Sequence, residues 1–556
     1  MTKQRLNRLR VIFLLSSIFL ARPLVAQTNG PTLRMASSNG TSTVFWPLTS
    51  YFDILQTTTN LTPSATWANV ATAERSVSLT ARSHNGVYGL FSANIIGNEI
   101  AFPIPAFNGQ LFFRLSTPSL INLCDFAIFY NGLLEFSQCA TMVVNGRVHA
   151  NGPIYVGTSA VLTFNAPVTT SSTVSSPIAD GQGPWTTNNW NTYFNGNPSY
   201  VTNVSDIGIP SLNWTNLHSL IDIPPSSEYP ASYQGSQRLY NQAQLVLIVT
   251  NNISGSGNPT VQLTIQNSVN GTVPGNDPAP TILYYINVSP ALLSSNLPFL
   301  SLTNTFNDQR EQKSALVTQL DIGKYAAWAA TNGNVQGKLP STAGVYPTIM
   351  YIADRRNVSA TQLAVVRLCN AAQLPQNNSL GFTIVTPNPL YVWGNYNVQT
   401  SSSVANASAG TTNTAYTVPA ALISDSITIL ASTWTDQYSY TPYSQGLSTD
   451  FAADTTVNAA LMTGTVPSTG NNATNFSGGL HNLPRLLQNW SGYNLWLNTS
   501  IIRLWDSTLA TNQFRNPAGF TPPPVNPYYN PPTRHFNFDQ NFLNPAKIPP
   551  GIPFFD

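Results

Sequence analysis

The stretch Thr141-Met142-Val143-Val144-Asn145-Gly146-Arg147-Val148-His149-Ala150-Asn151-Gly152-Pro153-Ile154-Tyr155-Val156 decides the reading of the fold. Its apolar, β-prone runs are broken by two Asn-Gly pairs with only four residues between them. Asn-Gly is a turn signal because both residues tolerate left-handed backbone. One reading is a hairpin. The other is a parallel β-solenoid, in which each short strand ends in a corner and the chain stacks on its own previous coil. The second accounts for more, because strands stay short and Asn is abundant where corners need left-handed conformations.

Moving outward, an echo joins distant parts of the chain. Asn151-Gly152-Pro153-Ile154-Tyr155-Val156-Gly157 shares Pro, an aliphatic residue, Tyr-Val and a nearby Gly with Asn388-Pro389-Leu390-Tyr391-Val392-Trp393-Gly394. The chain is expected to leave one regular β-body and return to it through the short β-branched runs at 382–385, 420–430, 457–466 and 497–504. The expected class is therefore mainly β: a right-handed parallel β-helix or solenoid, first at 119–175 and again at 351–510. Residues 176–350 mix strong strands with short helices at 212–221 and 321–330, the latter with Asp321 as N-cap, and read as an α+β insertion. Residues 27–118 carry short β-prone runs at 43–45, 76–80, 87–91 and 111–115 and read as a small antiparallel β module, with Trp67, Phe112 and Phe113 as core anchors. The tail at 511–556 is dense in proline but also in Phe, so it is expected to dock along the body in irregular, extended form.

The first 26 residues read as a secretory signal peptide. Lys3, Arg5, Arg8 and Arg10 precede an apolar run too short to span a bilayer, and Ala26 offers a small residue before Gln27, the expected cleavage point. No later stretch has the apolar length of a transmembrane helix, so the mature chain is expected in the periplasm, at the cell surface or outside the cell. Only 8% of the 556 residues are charged, against about 25% in an ordinary soluble domain. The 11 Trp, 23 Tyr and 26 Phe exclude wholesale disorder. Of the 23 basic residues, five lie in the leader, which leaves 18 against 21 acidic ones and no basic stripe for nucleic acid.

Cys124 and Cys139 bracket a short segment and form either a disulfide, permitted by an oxidising compartment, or buried thiols. Three cysteines without CxxC and five scattered histidines give no metal-ligand spacing. No cofactor fingerprint is present either. The run Trp185 to Tyr200 holds two Trp and two Tyr; it is either a sugar-stacking face or a set of loop aromatics tucked onto the surface. Trp185, Trp190 and Tyr193 are its candidates for glycan or partner contact.

Catalytic readings rest on carboxylates. Asp308, Glu311 and Asp321, flanked by Arg310 and Lys313, read as an ion-paired surface. Asp425, Asp436, Asp450 and Asp454 lie near the returning strands, where they are candidates to line a groove, but their spacing matches no calcium loop. Gly-x-Ser-x-Gly, Walker A and dinucleotide fingerprints are absent in the right context. No catalytic residue is assigned. His149 reads as a histidine fixed by hydrogen bonds at a corner.

Several strings together resemble a group of exported bacterial β-helix proteins of unknown function linked to type IV pilus and secretion systems (PilX-like). They are Asn145-Gly146-Arg147-Val148-His149-Ala150-Asn151-Gly152, Phe306-Asn307-Asp308-Gln309-Arg310-Glu311, Pro389-Leu390-Tyr391-Val392-Trp393-Gly394-Asn395-Tyr396-Asn397, Val457-Asn458-Ala459-Ala460-Leu461-Met462-Thr463-Gly464, Gly478-Gly479-Leu480-His481-Asn482-Leu483-Pro484-Arg485, and Pro549-Pro550-Gly551-Ile552-Pro553. The resemblance covers roughly residues 120–556 and implies no chemistry. The leader lacks the prepilin pattern of Gly, an aromatic residue and Glu, which argues against a filament subunit. The expected function is a non-enzymatic structural or adhesive envelope component whose partners are a glycan or an envelope or pilus protein. The alternative is a polysaccharide lyase or glycoside hydrolase with carboxylates in a solenoid groove.

Overall fold

The computed structural model describes residues 33–38, 41–47, 54–59, 68–71, 94–96, 99–104, 111–116, 121–137, 139–175, 190–208, 216–230, 232–251, 259–265, 281–287, 290–338, 347–375, 380–398, 409–415, 417–441, 448–468, 477–514 and 528–555. The leader with Ala26 and Gln27, Trp67, Trp185 and the runs at 76–80 and 87–91 lie outside the described residues.

Arg147–Ala150 pairs in parallel with Phe126–Tyr130 on one side and Val168–Thr170 on the other. Met142–Val144 pairs instead with the second half of Ile154–Phe164, and Leu134–Ser137 with its first half. The strands on either side of each Asn-Gly pair thus belong to different sheets, and His149 lies beside Thr169, 20 residues on. That arrangement excludes the hairpin reading of Asn145-Gly146 and Asn151-Gly152; both pairs are corners. Corner stacking demands glycine: a Cβ on Gly146 would lie 2.5 Å from the Phe538 ring, and one on Gly152 2.6 Å from the backbone of Gly132. Asparagines stack with the corners. Asn165 Nδ2 donates to Asn145 Oδ1 at 2.9 Å and Asn195 Nδ2 to Asn165 Oδ1 at 3.2 Å.

The molecule is mainly β with parallel sheets, the largest among the described residues having twelve strands. Ten consecutive members of that sheet run parallel. The chain enters in the middle: Phe126–Tyr130, Arg147–Ala150, Val168–Thr170 and Tyr200–Val201 step outward in one direction. It then crosses to the far side, and Leu245–Thr250, Ile349–Arg355, Phe382–Thr386, Ala420–Ser424, Ala460–Thr465 and Ile501–Asp506 step back until the last lies against the first. A seven-stranded sheet containing Lys313–Asp321, Gln362–Cys369, Leu390–Trp393 and Ile427–Leu430 flanks the returning strands. Both faces of the returning strands are buried. Leu245, Leu247, Met350, Ile352, Ile384, Leu422 and Leu461 feed one core, and Val246, Ile349, Tyr351, Val385, Ile423 and Met462 the other. This is why such strands read as continuous apolar runs rather than alternating ones.

Residues 176–350, expected as an α+β insertion packed on the β-body, contribute both helices and strands of the large sheets. They hold helices such as Ile322–Thr331, whose N-cap Asp321 accepts from Lys324 N at 2.9 Å. Yet Leu245–Thr250 and Lys313–Asp321 are members of the two large parallel sheets, because their apolar residues on both faces need cover on both. Of the helix expected at 212–221, the described part is a single 3-10 turn, Leu217–Leu220.

Within 27–118, Arg34–Ser38, Thr41–Pro47, Glu99–Ile104 and Asn94–Ile96 form one antiparallel sheet, and Ala68–Ala71, Ile54–Thr58 and Phe112–Ser116 another. Trp46 is fully buried there and Phe112 nearly so. The tail is more regular than its prolines suggest: Thr533–Phe538 pairs in parallel with Asn494–Thr499, and Phe538 and Phe542 are buried. Of the two readings of Cys124 and Cys139, the structure has the buried thiols: no disulfide joins them, Cys124 preceding Phe126–Tyr130 and Cys139 following Leu134–Ser137, a strand of a different sheet. No helix among the described residues is long and apolar enough to cross a membrane.

Candidate functional site

The junction between the first and last strands of the long parallel run opens into a cavity of about 230 Å³. Tyr130, Gly132 and Glu135 approach it from Phe126–Tyr130 and the residues that follow, Gly464, Thr465, Arg503 and Asp506 from Ala460–Thr465 and Ile501–Asp506, and Asn482 and Arg485 from the 3-10 turn Leu480–Asn482 and the short strand Arg485–Leu486. Ser468, Ser477 and Arg310 complete its polar lining.

Three guanidiniums reach this space, and their partners differ. Arg485 Nη1 donates to Glu311 Oε1 at 2.7 Å and Nη2 to the Ala510 carbonyl at 2.7 Å. Arg503 pairs with Asp506, donates to the Asn131 carbonyl, and reaches Thr465 Oγ1 at 3.3 Å. Arg310 differs: among the described residues its guanidinium makes no hydrogen bond or ion pair, and its Nε is buried without a partner. The guanidinium lies over the Phe514 ring, 5.9 Å from its centre, and feels the charges of Glu311 and Asp308 without a hydrogen bond to either. Burial pushes the Arg310 guanidinium below its ordinary pKa, and the nearby Arg485 charge adds to that.

The Phe306–Glu311 string is not an ion-paired surface, as its sequence suggests. Asp308, Arg310 and Glu311 are 2%, 4% and 2% exposed. Asp308 Oδ1 accepts from Arg310 N and Glu311 N at 2.8 and 2.9 Å, and Tyr391 donates its hydroxyl to the other oxygen. Burial raises the Glu311 carboxyl, opposed by Arg485. The charges are buried because Asn512 and Arg485, from the far end of the chain, close over the turn between Thr305–Asp308 and Lys313–Asp321. Also in the lining, Ser468 and Ser477 donate to Glu135 Oε2 at 2.6 and 2.8 Å.

Other carboxylates named from sequence are held apart, each by its own partner. Asp321 caps a helix. Asp436 binds Arg367 in a two-pronged pair and accepts from Trp434 Nε1 at 2.8 Å. Asp450 accepts from Gln488 Nε2 at 2.9 Å, and burial lifts its pKa to about 6. Asp454 accepts from Asn494. Asp425 receives the backbone N–H groups of Thr508, Leu509 and Ala510 and faces His218 Nε2 at 3.2 Å, while Asp222 takes the other imidazole nitrogen at 2.9 Å. Among the described residues no group of three or more His, Cys, Asp or Glu is placed to hold a metal ion.

No protein-family model, curated protein or solved structure matches the chain. Its chemistry is therefore read from its own residues.

His149 is fully buried, with Thr169 Oγ1 at 2.9 Å, Asn151 Oδ1 at 2.8 Å and the Phe129 ring stacked at 5.5 Å. Burial lowers its pKa to about 4, so it is neutral at physiological pH. Trp190 opens the strand Trp190–Phe194, in which Tyr193 is 54% exposed. Neither lies on the cavity. The residues that do line it were missed because they come from five separate stretches of sequence. One signal was available: Phe306–Glu311, Val457–Gly464 and Gly478–Arg485, three of the strings carrying the resemblance, all contribute to this one space.

Proposed function

We propose that the chain is an exported parallel β-solenoid serving as a rigid structural or adhesive component of the cell envelope, in the setting of a type IV pilus or secretion system. The observation that carries this reading is the unbroken run of ten parallel strands. Buried asparagines reinforce it. Asn458 Nδ2 donates to the Asn397 carbonyl and Asn397 Nδ2 to the Asn458 carbonyl, both at 2.9 Å, while Asn498 Nδ2 donates to Asn458 Oδ1 at 2.6 Å. Such stacked amides tie one coil to the next. A surface poor in charge and rich in hydroxyl and amide groups suits hydrogen bonding to glycans or to a partner protein.

The test is to express the tagged chain in a Gram-negative host, fractionate the cells and sequence the mature N-terminus. The purified protein is then incubated with a polysaccharide panel. The expected results are export with a new N-terminus at Gln27, retention on immobilised glycan or envelope protein, and no new reducing or unsaturated ends. Cytoplasmic retention overturns the exported reading, and chain cleavage overturns the non-enzymatic one.

A further inference from the structure

We propose that the cavity between the first and last parallel strands binds a small polyhydroxylated carboxylate of the hexuronate class, with Arg310 as its carboxylate anchor. Of the four arginines that are buried among the described residues, Arg238, Arg367 and Arg485 each hold a carboxylate: Glu228, Asp436 and Glu311. Arg310 holds none. A buried cation without a hydrogen-bonded anion is costly, and a guanidinium's planar fork matches a carboxylate in two-pronged geometry. The missing partner is supplied by a ligand that enters the space Arg310 lines.

The remaining lining specifies the rest of that ligand. Thr465, Ser468 and Ser477 present hydroxyl oxygens, and Glu135 takes the protons of the two serines, which leaves their oxygens turned to accept from a ligand's hydroxyls. The cavity is bipolar. Arg310 feels the charges of Arg485, Glu311 and Asp308, whereas Glu135 acts on Tyr130 at the first coil. A ligand with its negative group at the Arg310 end and only hydroxyls toward Glu135 avoids repulsion. At about 30 Å³ per water, the volume corresponds to about eight waters. That is room for one pyranose ring with its substituents. A hexuronate meets these demands, whether free or as the terminal residue of an acidic polysaccharide. Because the walls come from both the first and last coils, the ligand would bridge the junction and hold it closed.

The experiment is calorimetric titration and thermal melting of the full chain with D-galacturonate, D-glucuronate, D-glucose, acetate and trigalacturonate, in the wild type and in Arg310→Met, Arg310→Lys and Ser477→Ala. At least one hexuronate is expected to bind and raise the melting midpoint, with glucose and acetate each weaker by about tenfold or more. Arg310→Met is expected to lose about 10- to 100-fold in affinity while the ligand-free melting midpoint stays at or above that of the wild type, which a merely structural arginine would not allow. Arg310→Lys keeps the charge without the fork and is expected to fall between the two, which keeps the test decisive should the Met variant fail to fold. Stronger binding of trigalacturonate identifies a chain end as the source, and binding of the monomer alone a free acid. Equal affinity for glucose, undiminished binding in both Arg310 variants, or no binding of either hexuronate overturns the assignment.

Discussion

Ile501, in the last strand of the long parallel run, lies directly beside Ile128, in the first. Residues from opposite ends of the chain thereby become neighbours in one ladder, and Ser500 reinforces the contact by donating to the Phe126 carbonyl at 2.6 Å. Both isoleucines are buried in the same core. The junction is where the outward-stepping strands and the returning strands join in one sheet.

Removing either side chain should weaken that junction. Ile128→Ala and Ile501→Ala are each expected to cost about 2–5 kcal/mol, the range for emptying a buried aliphatic site. Because the residues touch, the double variant should depart from additivity by about 0.5–3 kcal/mol. Urea unfolding of the four proteins measures this, and strict additivity would show that the two ends do not pack as described.

The His218 pin makes stability depend on alkaline pH. Burial alone would lower this imidazole's pKa, but the hydrogen bonds and charges of Asp222 and Asp425 outweigh it and raise it to about 9 from an ordinary 6.5. A group raised on folding contributes stability in full below about pH 6.5, and that contribution is lost as pH climbs through about 9. The wild type should therefore lose more of its melting temperature between neutral and alkaline pH than His218→Gln does. In an NMR titration His218 should stay protonated up to about pH 9, whereas His149 should remain neutral down to about pH 4.

The two asparagine stacks should differ in weight. Asn165 is exposed and its two amide contacts compete with water, so Asn165→Ala is expected to cost about 1 kcal/mol or less. Asn458 is buried, and Asn458→Ala leaves the Asn397 carbonyl and the Asn498 amide short of partners, at about 2–3 kcal/mol. Denaturant midpoints of the two variants give the comparison. Equal losses would mean that the inner stack does not tie the neighbouring segments together.

All three cysteines should be silent in the native protein. Cys124, Cys139 and Cys369 are buried and none is in a disulfide; burial raises Cys124 well above its ordinary pKa and Cys369 to about 11, so both are protonated at neutral pH. A thiol reagent should count none before denaturation and three after it, with no mobility change on reduction. Only one reactive thiol after unfolding would restore the disulfide.

A mainly β body with parallel sheets was legible in the sequence, because short β-branched runs and closely spaced Asn-Gly corners act locally, within a few residues of each other. Asp321 as a helix cap was legible for the same reason: a cap needs only its own first turn. Strand partners were not, since Leu245–Thr250 is as apolar as any buried strand and nothing local says that Ile349–Arg355 will lie beside it. Arg310 and Glu311 were misread for a related cause. Charged residues in a row look solvated until Arg485 and Asn512, from the far end of the chain, close over them. Backbone preference and turn chemistry are encoded in neighbours, whereas burial, ion pairing and the cavity arise only when the last strand meets the first.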